Sequence, residues 1–444
     1  MSASKTAKRL RPLQLVAVIF LTVSGGPYGL EPLLVYADQH AALLLLIVTP
    51  LLWDVPAILT VLELNSMMPV EGGYYQWVKR ALGLRWAFYE GWWTWLYTFA
   101  DLAIYPVLFS QYLLYFFPGA EAYKIPVCLA LIWVGAGLNI LGIVPVGKAA
   151  TVLSIAVIVP FIIMMTTAFA SPTFSFSLPK PSLHNMNFNA IGLSLYTIIW
   201  NFIGWDNVTT YAGEVERPVR TYLLSITAGF AVILLIYVLT VFAIQPLHIP
   251  AQTLEEQGFP AAGNLIGGYW LGALLSAGGM ASAFGLFSAV LLSVSRVPKV
   301  MADDKLLPRK LDVLHKKFNT PYLSIIICAV VVSVMILWSL EDLFIIDVMV
   351  YGAGLFIEYI ALIALRIKEP DAPRPFTIKL NIFGLGIMMV IPFIVYGIAV
   401  SGALANEENM TTAKPVFFAL AALCSAEVAW QIIRLKKKYY STAS

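Results

Sequence analysis

The chain has 444 residues, 60% of them hydrophobic and 12% charged, with a mean hydropathy of +0.81. A soluble domain is nearer about 45–50% apolar and about 25% charged. So much apolar surface excludes a soluble protein and reads as an integral membrane protein. The net charge of +3 says little as a total; the positions of the charges say more.

A membrane-crossing helix needs about 20 mostly apolar residues. That window predicts spans near 13–38, 41–64, 84–116, 124–142, 150–170, 188–213, 221–245, 269–295, 321–340, 342–365, 381–404 and 413–433. Lys5, Lys8, Arg9 and Arg11 precede the first span as they would in a signal peptide. The apolar run resumes after 24-SGGPYG-29, so a retained, interrupted first helix is expected. Connections are short, and the whole chain, 1–444, reads as one membrane domain.

With twelve spans both termini share a side. Of the 28 Lys and Arg, all but Lys124, Lys180 and Lys414 fall on that side. They lie in the N-terminal tail, in 65–86, 143–149, 214–220, 296–320 and 366–380, and in the tail from Arg434. Cytoplasmic loops carry the Lys/Arg excess, so both termini are expected in the cytoplasm.

The first span breaks at 24-SGGPYG-29 and the sixth, more mildly, at 202-FIGWDN-207. Five helices separate equivalent points, so spans 1–5 and 6–10 read as two repeats. Paired interruptions at matching positions point to an inverted-repeat transporter with its site at the breaks. Helix ends there expose partial charges, positive at N-termini and negative at C-termini. Packing glycines are the plainer reading of either break alone.

The spans contain Glu31, Asp54, Glu63, Glu90, Asp101, Asp206, Asp347, Glu358 and Glu427, with no Lys or Arg mid-span. Buried acids in a membrane are costly and mark ion or substrate paths. Glu90, Asp347 and Glu427 are expected near wet helix ends. Glu63 and Glu358 are expected to pair with basic loops. Glu31 and Asp206 follow the two breaks, and Asp101 is mid-span. Tyr97, Asp101 and Tyr105 repeat every four residues and share a helix face. An acid between aromatic rings suits an organic ammonium through charge and cation–π attraction. Trp200 and Trp205 flank the second break and extend the aromatic wall. Ordinary helix packing is the alternative for any one of these rings.

These residues match a family. The chain resembles the amino acid–polyamine–organocation (APC) superfamily along nearly its whole length, and most of all the polyamine uptake transporters of plants. The likeness rests on 24-SGGPYGLE-31, 68-MPVEGGYYQWVKRALG-83, 90-EGWWTWLYTFADLAIYPVLF-109, 200-WNFIGWDNVTTYAGEVERP-218, 295-SRVPKVMADDKLLP-308 and 365-LRIKEPDAPRPF-376. The resemblance implies an all-α, LeuT-like fold of 12 transmembrane helices. Helices 1–5 (13–170) and 6–10 (188–365) would form inverted repeats, and helices 11–12 (381–433) would be extra. It implies secondary active transport, with substrate beside the broken first and sixth helices. The family's third-helix Asp falls at Asp101, its sixth-helix Trp-Asp at Trp205–Asp206, and its first-helix acid at Glu31. The expected substrate-binding set is therefore Gly25, Gly26, Tyr28, Glu31, Tyr97, Asp101, Tyr105, Trp200, Gly204, Trp205 and Asp206. Asp206 and Glu31 are expected to carry the coupling proton.

One departure bears on the substrate. The plant-type transporters carry an acid midway along the eighth helix, whereas 280-MASAFGLFSAVLLSVS-295 has none. This shifts the expectation toward a shorter or less charged amine. The favoured reading is proton-coupled uptake of putrescine- or spermidine-like cations at the cell membrane. The alternative is a proton- or sodium-coupled amino-acid permease, with first-helix backbone N–H groups holding the carboxylate. Ser282, Ser288 and Ser293 with first-helix carbonyls would be the sodium site. No filter-like motif suggests a channel. The histidines (His40, His184, His248, His315) read as loop residues and the three cysteines stand singly. An enzyme, a metal or cofactor site, a disulfide framework and nucleic-acid binding are accordingly not expected. Oligomeric state is left open, a monomer being compatible with the reading.

Overall fold

The computed structural model describes residues 9–37, 39–171, 183, 186–247, 249–405 and 413–442. Lys5, Lys8, Lys180, His184 and His248 lie outside them. All regular elements among the described residues are helices, apart from two isolated bridges, Leu10 to Val215 and Glu71 to Tyr211.

The chain opens with α1 (Pro12–Val23), a non-helical stretch, and α2 (Glu31–Tyr36). Next come α3 (Gln39–Met67), α4 (Gly73–Leu82), α5 (Leu84–Leu114), α6 (Lys124–Ile140) and α7 (Ile143–Phe169). Then follow α8 (Phe188–Trp200), α9 (Pro218–Ile244), α10 (Ala251–Gln257), α11 (Phe259–Gly267), α12 (Tyr269–Val294) and α13 (Val297–Asp303). The last are α14 (Tyr322–Met335), α15 (Leu340–Lys368), α16 (Ile382–Leu404) and α17 (Ala413–Thr442).

Among the described residues, eight helices are long and apolar enough to cross a bilayer. α5 is as long as any, but aromatic and polar side chains lower its hydropathy. Exposed side chains support a lipid surface independently. On α7, Val152, Ile155, Val159 and Ile162 recur at helical spacing and all face outward. Phe383, Ile387, Val390 and Ile394 do the same on α16. An apolar stripe pointing away from the protein is stable only against lipid.

Some sequence expectations need correction. Residues 143–149 are the first turns of α7, not a loop, and His40 lies in the first turn of α3. The first span does stop and resume. The sixth stops at Trp200 but continues only as two short 3₁₀ turns, Asn207–Thr209 and Ala212–Glu214.

The core gathers around α1, whose residues from Leu15 to Val23 are nearly all buried among α7, α9 and α12. Close helix approach uses small residues, as in other membrane bundles. A Cβ on Gly192 of α8 would lie 2.4 Å from the Cα of Gly402 in α16. Ion pairs close the end bearing the basic loops. Lys79 binds Asp304 at 2.6 Å, Arg296 binds Glu214 at 2.6 Å, and Lys299 binds Glu71 at 3.1 Å. The N-terminal segment joins this layer through Leu10 N–H to the Glu214 carbonyl at 2.9 Å.

Glu63 behaves as the charge pattern requires. Its carboxylate takes both arms of Arg366 at 2.5 and 2.7 Å, lies 3.4 Å from Arg374, and accepts from Ile378 N–H at 2.8 Å. Deleting one partner of a buried pair typically costs about 3–5 kcal/mol. Glu63→Gln should therefore lower the thermal unfolding midpoint of the purified protein markedly. An unchanged midpoint would mean that the 366–378 segment is held by other contacts.

Candidate functional site

Local chemistry fixes the first break. Gly25 and Gly26 adopt φ of +62° and +91°, which side-chain-bearing residues rarely do, and Pro27 has no N–H to donate. Gly25 is also crowded by α12. A Cβ there would lie 2.5 Å from Leu286 Cδ1 and 2.6 Å from Ser282 Oγ. Ser282 in turn donates to the Gly25 carbonyl at 2.5 Å.

The two breaks are tied to each other. Asn201, capping α8, donates to the Gly29 carbonyl at 2.8 Å. Tyr237 of α9 donates to the Asn201 carbonyl at 3.2 Å and shares a 2.6 Å hydrogen bond with Ser24 Oγ. Gly204, with φ +99°, leaves room for the Thr22 carbonyl to approach, a distance of 3.4 Å from where its Cβ would be.

A cavity lies where the breaks meet α5. It is lined by Thr22, Val23 and Ser24; Tyr97, Asp101 and Tyr105; Trp200, Asn201, Ile203, Gly204 and Asn207; and Leu286. The cavity is narrow, with a volume of about 10 Å³, on the scale of a single water. The walls must therefore part before an organic substrate enters.

Five expected site residues meet at this cavity: Tyr97, Asp101, Tyr105, Trp200 and Gly204. Asp101 is buried and accepts from Tyr105 Oη. Tyr97 exchanges hydrogen bonds with the Asn207 amide at 2.9 and 3.2 Å and sets its ring edge-on to Tyr351, centroids 5.4 Å apart. The other six lie close by but off the lining. Gly25 and Gly26 pack against α12 and α7. Tyr28 donates to the Leu275 carbonyl at 2.5 Å among Tyr112, Phe161 and Phe259. Trp205 donates to Asp54 at 3.2 Å. Asp206 accepts from Tyr351 Oη at 3.0 Å. Glu31 is held by three donors: Gly29 N–H at 2.6 Å, Tyr112 Oη at 3.2 Å and Phe259 N–H at 3.4 Å.

Sequence reasoning missed Asn201 and Asn207, whose position beside the second break is the signal that pointed to them. It also misplaced four acids. Glu90 and Asp347 are not at wet helix ends but almost fully buried. Glu358 is not paired with a basic loop; both its oxygens are buried without a hydrogen-bond partner. The helix length explains this, since α15 runs on to Lys368 and sets Glu358 nearly three turns inside. Asp347 lies within electrostatic reach of Asp101, and Trp200 Nε1 points to it without completing a hydrogen bond. Glu427 is not at a helix end but midway along α17, part-exposed and paired with Arg85 at 2.7 Å.

Of the eight acids buried in the expected spans, only Glu63 has an ion pair among the described residues. The site is thus a small cavity with aromatic walls and a buried acid that has no side-chain cation beside it among the described residues.

The model of the family described as amino acid permease matches residues 10–422, and the chain belongs to that family, within the APC superfamily. The chain is 32% identical over 401 residues to the polyamine transporter RMV1 of Arabidopsis thaliana, covering 88% of this chain and 80% of that one. It is 30% identical over 444 residues to the polyamine transporter PUT1 of Oryza sativa subsp. japonica, covering 98% and 80%. It is 25% identical over 383 residues to the serine/threonine exchanger SteT of Bacillus subtilis (strain 168), covering 82% and 83%.

The crowded glycine gives a direct test of the break. Gly25→Ala adds a left-handed residue, costing about 1–2 kcal/mol, and a clash with Leu286. Ser282→Ala removes a hydrogen bond worth about 0.5–1.5 kcal/mol. The thermal midpoint should fall further for Gly25→Ala. The reverse order would mean that the hydrogen bond, not the close approach, holds α12 to the break.

Proposed function

We propose that this member of the amino acid permease family is a secondary active transporter that takes up short polyamines with protons by alternating access. The observation carrying this reading is Asp101, buried without a cationic partner in an aromatic cavity between two helix breaks. The substrate supplies the missing cation. One ammonium takes Asp101, with Tyr97, Tyr105 and Trp200 around it. The methylene chain lies against Val23, Ile203 and Leu286. Asp347, within electrostatic reach of Asp101, takes the second ammonium. α12 contributes Leu286 to the cavity and no acid, which matches two charges better than four.

The arrangement proposed is the twelve-span, LeuT-like one. Residues 13–170 form the first repeat, 188–365 its inverted counterpart, and 381–433 two added spans. The Lys/Arg distribution supports cytoplasmic termini in a cell membrane. The tight cavity corresponds to a closed intermediate, with ion pairs on the basic side and α10–α11 on the other. Asp206 carries the coupling proton. Glu31, with its oxygens already engaged, positions α2 against α11 through Phe259.

An amino-acid substrate is the second reading, favoured by the likeness to a serine/threonine exchanger. The state of the first break weighs against it. The N–H groups of Ser24, Gly25, Gly26, Gly29 and Leu30 are all taken by acceptors within the chain. A substrate carboxylate would have to displace them.

Uptake of labelled putrescine into proteoliposomes under an imposed pH gradient tests the proposal. Asp101→Asn removes one charge-assisted bond, worth about 1.5–3 kcal/mol, so putrescine affinity should fall about 10- to 150-fold. Asp206→Asn should abolish gradient-driven accumulation. As competitors, putrescine and spermidine should exceed spermine, whose extra ammonium groups find no acid. If alanine or serine competes best, the amino-acid reading replaces this one.

A further inference from the structure

α15 carries a line of chemistry that runs on from Asp347, past the substrate cavity. Asp347, Tyr351, Gly354 and Glu358 are spaced four, three and four residues apart, so they share one face. The line is about 16 Å long at 1.5 Å per residue. It begins beside Asp101 and passes Tyr351, which donates to Asp206. At Gly354 the missing side chain admits Glu90 of α5, whose Oε1 lies 3.0 Å from where a Cβ would be. It ends at Glu358, a turn further on.

Glu90, Glu358 and Asp206 lie within electrostatic reach of one another. All three are at most 4% exposed, and none is in an ion pair among the described residues. Glu90 Oε2 and both oxygens of Glu358 have no hydrogen-bond partner. From α4 the Tyr74 hydroxyl, fully buried, reaches the field of all three carboxylates and nears Thr94 without completing a hydrogen bond. Among the described residues, the cations of the neighbouring elements are engaged elsewhere: Lys79 and Arg80 of α4 by Asp304 and Glu369, and Lys368 of α15 by the Ala81 carbonyl. Arg366 of α15 is held by Glu63 of α3. Asp54 of α3 is engaged by Trp205 and lies near Tyr359. Tyr396 of α16 donates to the Met349 carbonyl, and Glu427 of α17 pairs with Arg85.

Three unpaired carboxylates cannot all stay ionised in a low-dielectric interior. A proton is the ligand that neutralises them without needing the space or the oxygen shell of a metal ion. We propose that Glu90 and Glu358 form a proton site, fed through Asp206 and Tyr351, that passes the coupling proton between the substrate cavity and the basic-loop end of the protein. The proton leaves the Asp206 carboxyl and is received by Glu358 or Glu90, with the Tyr74 hydroxyl alongside. Because the site is separate from Asp101, proton and ammonium ride together instead of competing for one acid. This rests on the proton-coupled transport proposed above.

The test compares two modes of putrescine transport in proteoliposomes. Counterflow against unlabelled putrescine at equal pH needs substrate binding and alternation; accumulation under a pH gradient also needs the proton. Glu358→Gln and Glu90→Gln should keep counterflow within about twofold of wild type and lose accumulation at least about tenfold. Glu358→Asp, retaining a carboxyl, should restore part of the accumulation, and Tyr74→Phe should shift its pH profile. Wild-type accumulation in Glu358→Gln, or loss of counterflow and accumulation together in both Gln variants and in Glu358→Asp, would overturn the proton site. If wild-type protein transports putrescine but ignores the pH gradient, the proton-coupled reading falls and this site with it. If the gradient drives wild type and the Gln variants equally, only the site falls.

Discussion

The rest of the structure depends on negative charge held in an apolar interior without its counter-charge. Moving a carboxylate from water into protein costs several kcal/mol even after relaxation. Most proteins offset this at once with an arginine or lysine, as Glu63 does here with Arg366 and Arg374. Asp101, Asp206, Asp347, Glu90 and Glu358 have no such partner among the described residues. Neutral groups support three of them: Tyr105 on Asp101, Tyr351 on Asp206 and Thr94 on Glu90. The carboxylate oxygens of Asp347 and Glu358 have no hydrogen-bond partner among the described residues. Neutral donors soften the cost without cancelling the charge. An interior built this way favours anything that brings positive charge to it.

The helix breaks give that charge an address. A continuous α1 would bury its backbone and present only side chains. Stopping at Val23 turns the chain's polar groups toward Asn201 and Ser282 and makes space beside Asp101. The same stop costs hydrogen bonds, which Ser24, Asn201 and Tyr237 replace. Side chains that rebuild one break also bind the other. The two are thus tied together through Asn201, Tyr237 and Ser24.

Much of this was legible in the sequence. The glycines and proline of 24-SGGPYG-29 could not continue a helix, and the four-residue spacing of Tyr97, Asp101 and Tyr105 brought all three to one cavity. The pairing of Glu63 followed from its basic neighbours. What could not be read was depth. Glu358 looked peripheral because its distance from a helix end depends on how far α15 extends, and Glu90 because the packing of α15 at Gly354 that buries it is visible only in the fold. Asn201 and Asn207 carry no charge, and although their place beside the second break hinted at them, only the folded chain reveals that Asn201 reaches the first break and Asn207 reaches Tyr97. The second half of the sixth span looked like helix by composition, whereas hydrogen bonds from Thr209, Thr210 and Tyr222 to nearby carbonyls hold it in tight turns.

The central claim is that charge, not shape, selects the ligand. Equilibrium binding of putrescine, butylamine and 1,4-butanediol to the purified protein tests it most directly, because the three share a four-carbon chain and differ in the number of ammonium groups. The account predicts that putrescine binds more than about tenfold tighter than butylamine, as one charge-assisted bond of at least about 1.5 kcal/mol requires, and that the diol does not bind measurably. Comparable affinities for all three, or tighter binding of alanine than of putrescine, would contradict it.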